Sequence, residues 1–227
     1  MLIIIDHKIP PQAREKLSAF GQILELKTEG ITYDAISGHP DIFFCRTPGG
    51  LIAAPNTPPA ILEKLKARKV PFQLGENEVG IQYPNSAIYN AVVTCDHYIH
   101  NKDITDPAIL SSLDDQQQIH VKQGYTRCSL LPLRDGHFIT SDRGIYKTLT
   151  ANGMDVLQVD PSDIEIHELK HGFFGGACGV FEDRVFITGS LKRFGDGELV
   201  RAYVKNLGYQ IIELYDGPLF DGGSIMF

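Results

Sequence analysis

The chain predicts a single α/β domain, residues 1–227, built as a five-bladed pseudo-fivefold α/β propeller of strand-strand-helix-strand units in which the two chain ends share one blade. Three observations lead there. Proline-led or capped helix starts recur along the chain, each helix is followed by a brief apolar strand, and four helices are preceded by a hairpin. The first residues of the second hairpin strands, Leu51, His97, His137 and Val185, stand 40 to 48 residues apart, a period at which stacked supersecondary units build arrays and propellers.

The elements follow in order. "MLIIID" is an apolar strand, "IPPQAREKLSAF" a helix with Pro in its first turn, and "ILEL" at 23–26 the strand that returns from it. "DIFFCRTPGGLIAAP" is a hairpin, followed by the helix "NTPPAILEKLKAR", with Thr57 as its expected cap, and by "VPFQL" at 70–74. "NAVVTCDHYIHN" leads to "TDPAILSSL", capped by Asp106, and then to "IHV" at 119–121. "CSLLPLRDGHFITS" precedes "SDRGIYKTLTANG", which Ser141 or Asp142 caps and Gly153 stops; "DVLQV" at 155–159 follows. The last full unit is "CGVFEDRVFITGS", "DGELVRAYVKNLG" stopped by Gly208, and "QIIEL" at 210–214.

"MLIIID" has no hairpin partner before it, and "SIMF" at 224–227 has none after it. Joining them gives the fifth hairpin, so the repeats run over about 38–80, 82–122, 126–165, 171–215, and 220–227 with 1–30. Such closure leaves no open sheet edge. An open doubly wound sheet is the alternative, but no G-x-G-x-x-G follows an early strand.

With 43% hydrophobic and 22% charged residues the chain can bury a substantial core. A net charge of -7 with no basic run argues against nucleic acid as a partner, which needs clustered cations. The opening "MLIII" meets Asp6, His7 and Lys8 at once, too short for a secretory core or a membrane span, so a cytoplasmic protein with no membrane partner is expected. Cys45, Cys95, Cys128 and Cys178 include no C-x-x-C pair and read as free thiols. No cofactor motif is present, and no i, i+4 histidine pair with an acid suggests a metal site.

This layout resembles the pentein fold of the guanidino-group-modifying enzymes, a superfamily that also includes a non-enzymatic ribosomal anti-association factor. "HPDIFFCRTPGGLIAAPNTPPAILEKLK" is similar to a blade of the dimethylarginine hydrolases and "NAVVTCDHYIHN" to a blade of the anti-association factor. "FGGACGVF" and "DGGSIMF" are similar to Gly-Gly strand starts of the superfamily. The resemblance implies an axial pocket in which a Cys attacks a guanidinium carbon, a His moves protons and carboxylates hold the cation. Laid on this chain, the family's cysteine position falls on Phe227 or near Asp221 and its histidine close to Arg127, so the implied chemistry lacks its usual groups.

Other residues are then candidates. Cys178, with His171 seven residues before it, is the only nucleophile and base pair the sequence offers; Cys128 occupies the equivalent place one repeat earlier. Both also read as buried apolar fillers. Asp221, beside Gly222 and Gly223, could face a guanidinium or ammonium group or form a turn. Arg127 could bind a carboxylate bidentately or pair with an acid, and Asn90 could face the pocket or be structural. His39 is a further candidate above the axis. The expectation is a protein of the guanidino-modifying superfamily that binds or hydrolyses a small polar amine, guanidine or amino-acid-like molecule. If it is an enzyme, the reaction is a hydrolase- or amidinotransferase-like one at a C–N bond. The competing reading is a non-catalytic binding or protein-interaction module.

Overall fold

A computed structural model describes residues 1–227. Its strands form six small separate sheets. Four have the expected plan of a hairpin with a third strand added in parallel. In the first, Phe44–Thr47 pairs antiparallel with Gly50–Ala53, which pairs parallel with Phe72–Leu74. The same plan joins Val92–Val93, His97–His100 and Gln117–His120, then Leu130–Pro132, His137–Thr140 and Asp155–Gln158. It recurs in Cys178–Phe181, Arg184–Ile187 and Gln210–Glu213. In each, a helix connects the two parallel strands: Pro59–Ala67, Pro107–Ser111, Arg143–Ala151 and Gly197–Asn206.

The helices dock through a narrow apolar stripe. Ala13 and Leu17, Ile61 and Leu65, Ile145 and Leu149, and Val200 and Val204 are buried pairs spaced i, i+4, which places each pair on one helix face. Burying each larger member contributes about 1.5–3 kcal/mol. Asp142 caps its helix by accepting from Ile145 N at 2.7 Å, and Asp106 accepts from Ala108 N at 3.0 Å. Thr57 does not cap: Pro58 takes the cap position without a side-chain bond, and the Thr57 hydroxyl is buried without a partner. Gly153 and Gly208 end their helices at φ 80° and 77°, a conformation that costs a residue with a Cβ.

The fifth unit is the least regular. Leu2–Asp6 pairs parallel with Gln22–Leu26 across the helix Pro11–Ser18. The C-terminal run meets this sheet at one antiparallel bridge, where Ile4 N donates to Met226 O at 2.8 Å and Met226 N to Ile4 O at 3.1 Å. The expected strand over 224–227 is thus a single bridge, because Gly223 and Ser224, at φ 67° and 68°, turn the chain just before it. The sequence reading also missed a parallel pair, Ile164–Glu165 with Leu219–Phe220, and three helical turns that lead into first strands. Those turns are Pro40–Phe43, Thr126–Ser129 and Gly175–Ala177. No helix is long and apolar enough to cross a membrane.

Candidate functional site

The segments leading into the first strands converge, and hydrogen bonds pass from each to the next. Asp41 N donates to Gly223 O at 3.1 Å, Asn90 Nδ2 to Asp41 O at 2.9 Å, and Arg127 N to Asn90 O at 2.9 Å. The Arg127 guanidinium then donates to Gly175 O at 2.9 Å and Cys178 O at 3.2 Å. Gly222 N and Ser224 N both donate to Gly176 O, at 3.2 and 2.7 Å. Glycine is required at this convergence: a Cβ on Gly175 would overlap the Arg127 carbonyl, and one on Gly176 would overlap the Asp221 carboxylate.

Three acids, an imidazole and a thiol lie buried at this centre. The Cys128 thiol lies 3.2 Å from each Asp41 carboxylate oxygen, and Asn90 Nδ2 donates to Cys128 Sγ, also at 3.2 Å. His39 Nε2 faces Asp6 Oδ2 at 3.7 Å. Asp221 accepts from Phe173 N at 2.8 Å and from Gly223 N at 3.0 Å. Hydroxyls overhang them: Tyr33 donates to Tyr125 at 3.3 Å, and Tyr125 and Ser86 share a 2.6 Å bond.

Burial sets the charge states here, because taking an ion out of water disfavours the charged form. It pushes the Asp221 carboxyl up to about 7, with the Asp41 charge adding to the effect. Asp41 and Asp6 are raised by burial as well, and His39 is held down to about 3 by burial and by Lys8. Burial raises the Cys128 thiol, with Asp41 and Asp221 adding to it. Cys178 is also raised by burial, and Cys45 is pushed up to about 12. These three sulfurs are thiols, not thiolates, near neutral pH.

A cavity of about 510 Å³ opens beyond this centre, lined by the far ends of the first strands. Arg46, Thr94, Pro132, Phe181 and Phe227 contribute from five different segments of the chain, and Arg127 forms part of its wall. Phe44, Val92, Val180 and Ile225 make it largely apolar; Arg46, Arg127 and Glu182 carry its charges.

Of the expected site residues, only Arg127 lines that cavity. Asn90, Asp221 and Gly222 lie in the converging segments, where they are buried and bonded to neighbours. Asn90 holds the lead-in segments together, the structural alternative the sequence left open. No hydrogen bond links Cys178 and His171; the His171 ring meets Gly172 O at 3.1 Å and stands edge-on to Phe173. The cluster of His39, Asp41 and Cys128 was legible only in fragments, since Asp41 sits in a helical turn that precedes the first hairpin.

Residues 4–226 match a family described as Family of unknown function (DUF6873). No curated protein matches the chain in sequence. Among solved structures, the chain is similar to a DDAH from Pseudomonas aeruginosa in complex with citrulline: 13% identity, TM-score 0.56, 93% of this chain and 91% of that one covered. It is similar to SxtG, an amidinotransferase of the saxitoxin pathway from Microseira wollei, at 13% identity and TM-score 0.55 over 93% and 87% of the two chains. The agmatine deiminase of C. jejuni matches at 9% identity and TM-score 0.55 over 94% and 86%. At these identities the likeness is one of fold, and the fold is that of the pentein superfamily.

Proposed function

The chain belongs to the Family of unknown function (DUF6873), and on its pentein fold we propose that it binds a small, polar, amino-acid-like molecule in the axial cavity without covalent chemistry. The observation that carries this reading is the cavity itself. At about 510 Å³ it lies within the range of small-molecule sites, and its walls combine apolar side chains with two guanidinium groups and one carboxylate. Arg46, which also donates to Phe227 O, and Arg127, which also donates to Gly175 O and Cys178 O, offer their remaining N–H groups to a ligand carboxylate, Glu182 suits a ligand amine, and Phe44, Val180 and Phe181 an apolar stem.

Binding is favoured over hydrolysis because the three buried thiols are held in their protonated form and none lines the cavity, while Cys95, the thiol that does, has no histidine beside it among the lining residues to act as its base. We read the five units as blades of one closed propeller, on the strength of the bonds that run from each lead-in segment to the next and of the bridge between Ile4 and Met226. Four free cysteines fit a reducing compartment, hence the cytoplasm.

A thermal-shift screen of amino acids, small amines and guanidines tests the proposal, run on wild type, Arg46→Gln and Asp221→Asn. A ligand whose stabilisation fails in Arg46→Gln but persists in Asp221→Asn supports the cavity. A ligand that depends on Asp221 and not on Arg46 moves the site to the buried acids and overturns the reading.

A further inference from the structure

We propose that His39, Asp41 and Cys128 hold one divalent transition-metal ion of the zinc class as a structural clasp. One ligand atom from each lies within 4.8 Å of the others. The three side chains are 2%, 0% and 3% exposed, and the second Asp41 oxygen, also 3.2 Å from Cys128 Sγ, can supply the fourth donor that a structural site of this class needs. None of them lines the axial cavity, so the inference stands apart from the ligand proposed there.

One further atom points to an ion. His39 Nδ1 is buried with no hydrogen-bond partner, whereas buried polar atoms in a native interior are nearly always satisfied. His39 Nε2 faces the Asp6 carboxylate at 3.7 Å, which leaves Nδ1 as the nitrogen without a role. A carboxylate behind a ligating imidazole is the support such ligands commonly have. Asn90 completes a similar support on the other side. It donates to Cys128 Sγ at 3.2 Å and to Asp41 O at 2.9 Å, holding the sulfur and the acid in register.

The ligand set selects the ion. One thiolate and one imidazole suit zinc or cobalt and are poor partners for magnesium or calcium, which prefer oxygen alone. On binding, the Cys128 thiol gives its proton to solvent and its 3.2 Å contacts to Asp41 give way to metal bonds. The ion then joins segments 87 residues apart.

The test uses full-length Cys95→Ser protein, which lacks the exposed thiol, produced in medium supplemented with zinc or cobalt. One metal ion per chain, and a thiolate-to-cobalt charge-transfer band that disappears in Cys128→Ser but survives in Cys178→Ser, are expected. A parent protein that carries no metal overturns the proposal, as does a cobalt band that survives Cys128→Ser. The first reading is made on the parent protein, and Cys178→Ser controls for the loss of a buried thiol. Because Cys95 lines the cavity, ligand binding is compared with the Cys95→Ser parent, and loss of metal in Cys128→Ser with that binding intact separates this site from the one above.

Discussion

Cys128 presents its thiol to Asp41 from 87 residues further along the chain, 3.2 Å from each carboxylate oxygen. The contact ties the lead-in turn of one unit to that of another two units later, and Asn90 of the unit between them bonds to both. The centre of the molecule is thus a packed polar knot, and the open volume lies beyond it.

The first prediction concerns the thiols. Cys95 is exposed, while Cys45, Cys128 and Cys178 are buried and raised above the ordinary thiol value by that burial. Brief alkylation near neutral pH should add one label, at Cys95, and the other three only after unfolding. Mass spectrometry of the labelled peptides checks this. Rapid labelling of Cys178 or Cys128 would restore the nucleophile reading.

The second concerns backbone crowding. Gly175 lies against the carbonyl oxygens of Arg127 and Cys128, the latter 2.7 Å from where a Cβ would stand. Gly175→Ala should cost about 3 kcal/mol in denaturant unfolding, since backbone cannot move aside as a flexible side chain can.

The third is a pH dependence. Between the unfolded value of 3.8 and about 7 the folded chain keeps the Asp221 proton that the unfolded chain releases. That contribution to stability is complete below 3.8 and is lost as pH rises through about 7. Asp221→Asn, which cannot ionise, should therefore gain relative to wild type as pH climbs through this window. The gain is at most roughly 4 kcal/mol, read from paired melting curves.

Buried His100 runs the other way. It bonds Thr105 Oγ1 at 2.6 Å and Gly124 O at 2.8 Å, and burial holds it down to about 4 from 6.5. Its contribution is present above 6.5 and is lost as pH falls through about 4. His100→Gln should lose less stability than wild type between neutral pH and pH 4, again by paired melting curves.

These residues also show what a sequence can and cannot disclose. The helices were legible because proline, Asp106, Asp142, Gly153 and Gly208 punctuate them by local rules. The repeat was legible because each unit buries the same faces. "SIMF" was half legible: its apolar pattern marked a partner for the N-terminal strand, but the turn at Gly223 and Ser224 that shortens the pairing to one bridge depends on how Gly223 packs against His39.

The site was harder because it is made of distances between units. The expected equivalence of Cys128 and Cys178 does not hold: Cys128 lies in the helical turn Thr126–Ser129, whereas Cys178 opens the strand Cys178–Phe181 and corresponds to Leu130. The Cys128 sulfur accordingly meets Asp41 and Asn90, while the Cys178 sulfur forms no hydrogen bond. Arg127 was found because a charged residue at a strand start is conspicuous. Arg46 and Glu182 were missed because on a hairpin they read as solvated charges.

The most direct test of the account is a calorimetric titration of the best ligand from the screen into wild type and Arg46→Gln. The account predicts one saturable site per chain in wild type, weakened about 10- to 100-fold by the substitution, the size expected for loss of a charged hydrogen bond. Equal affinity in the two proteins, or no binding by any amino acid, amine or guanidine tried, would contradict it.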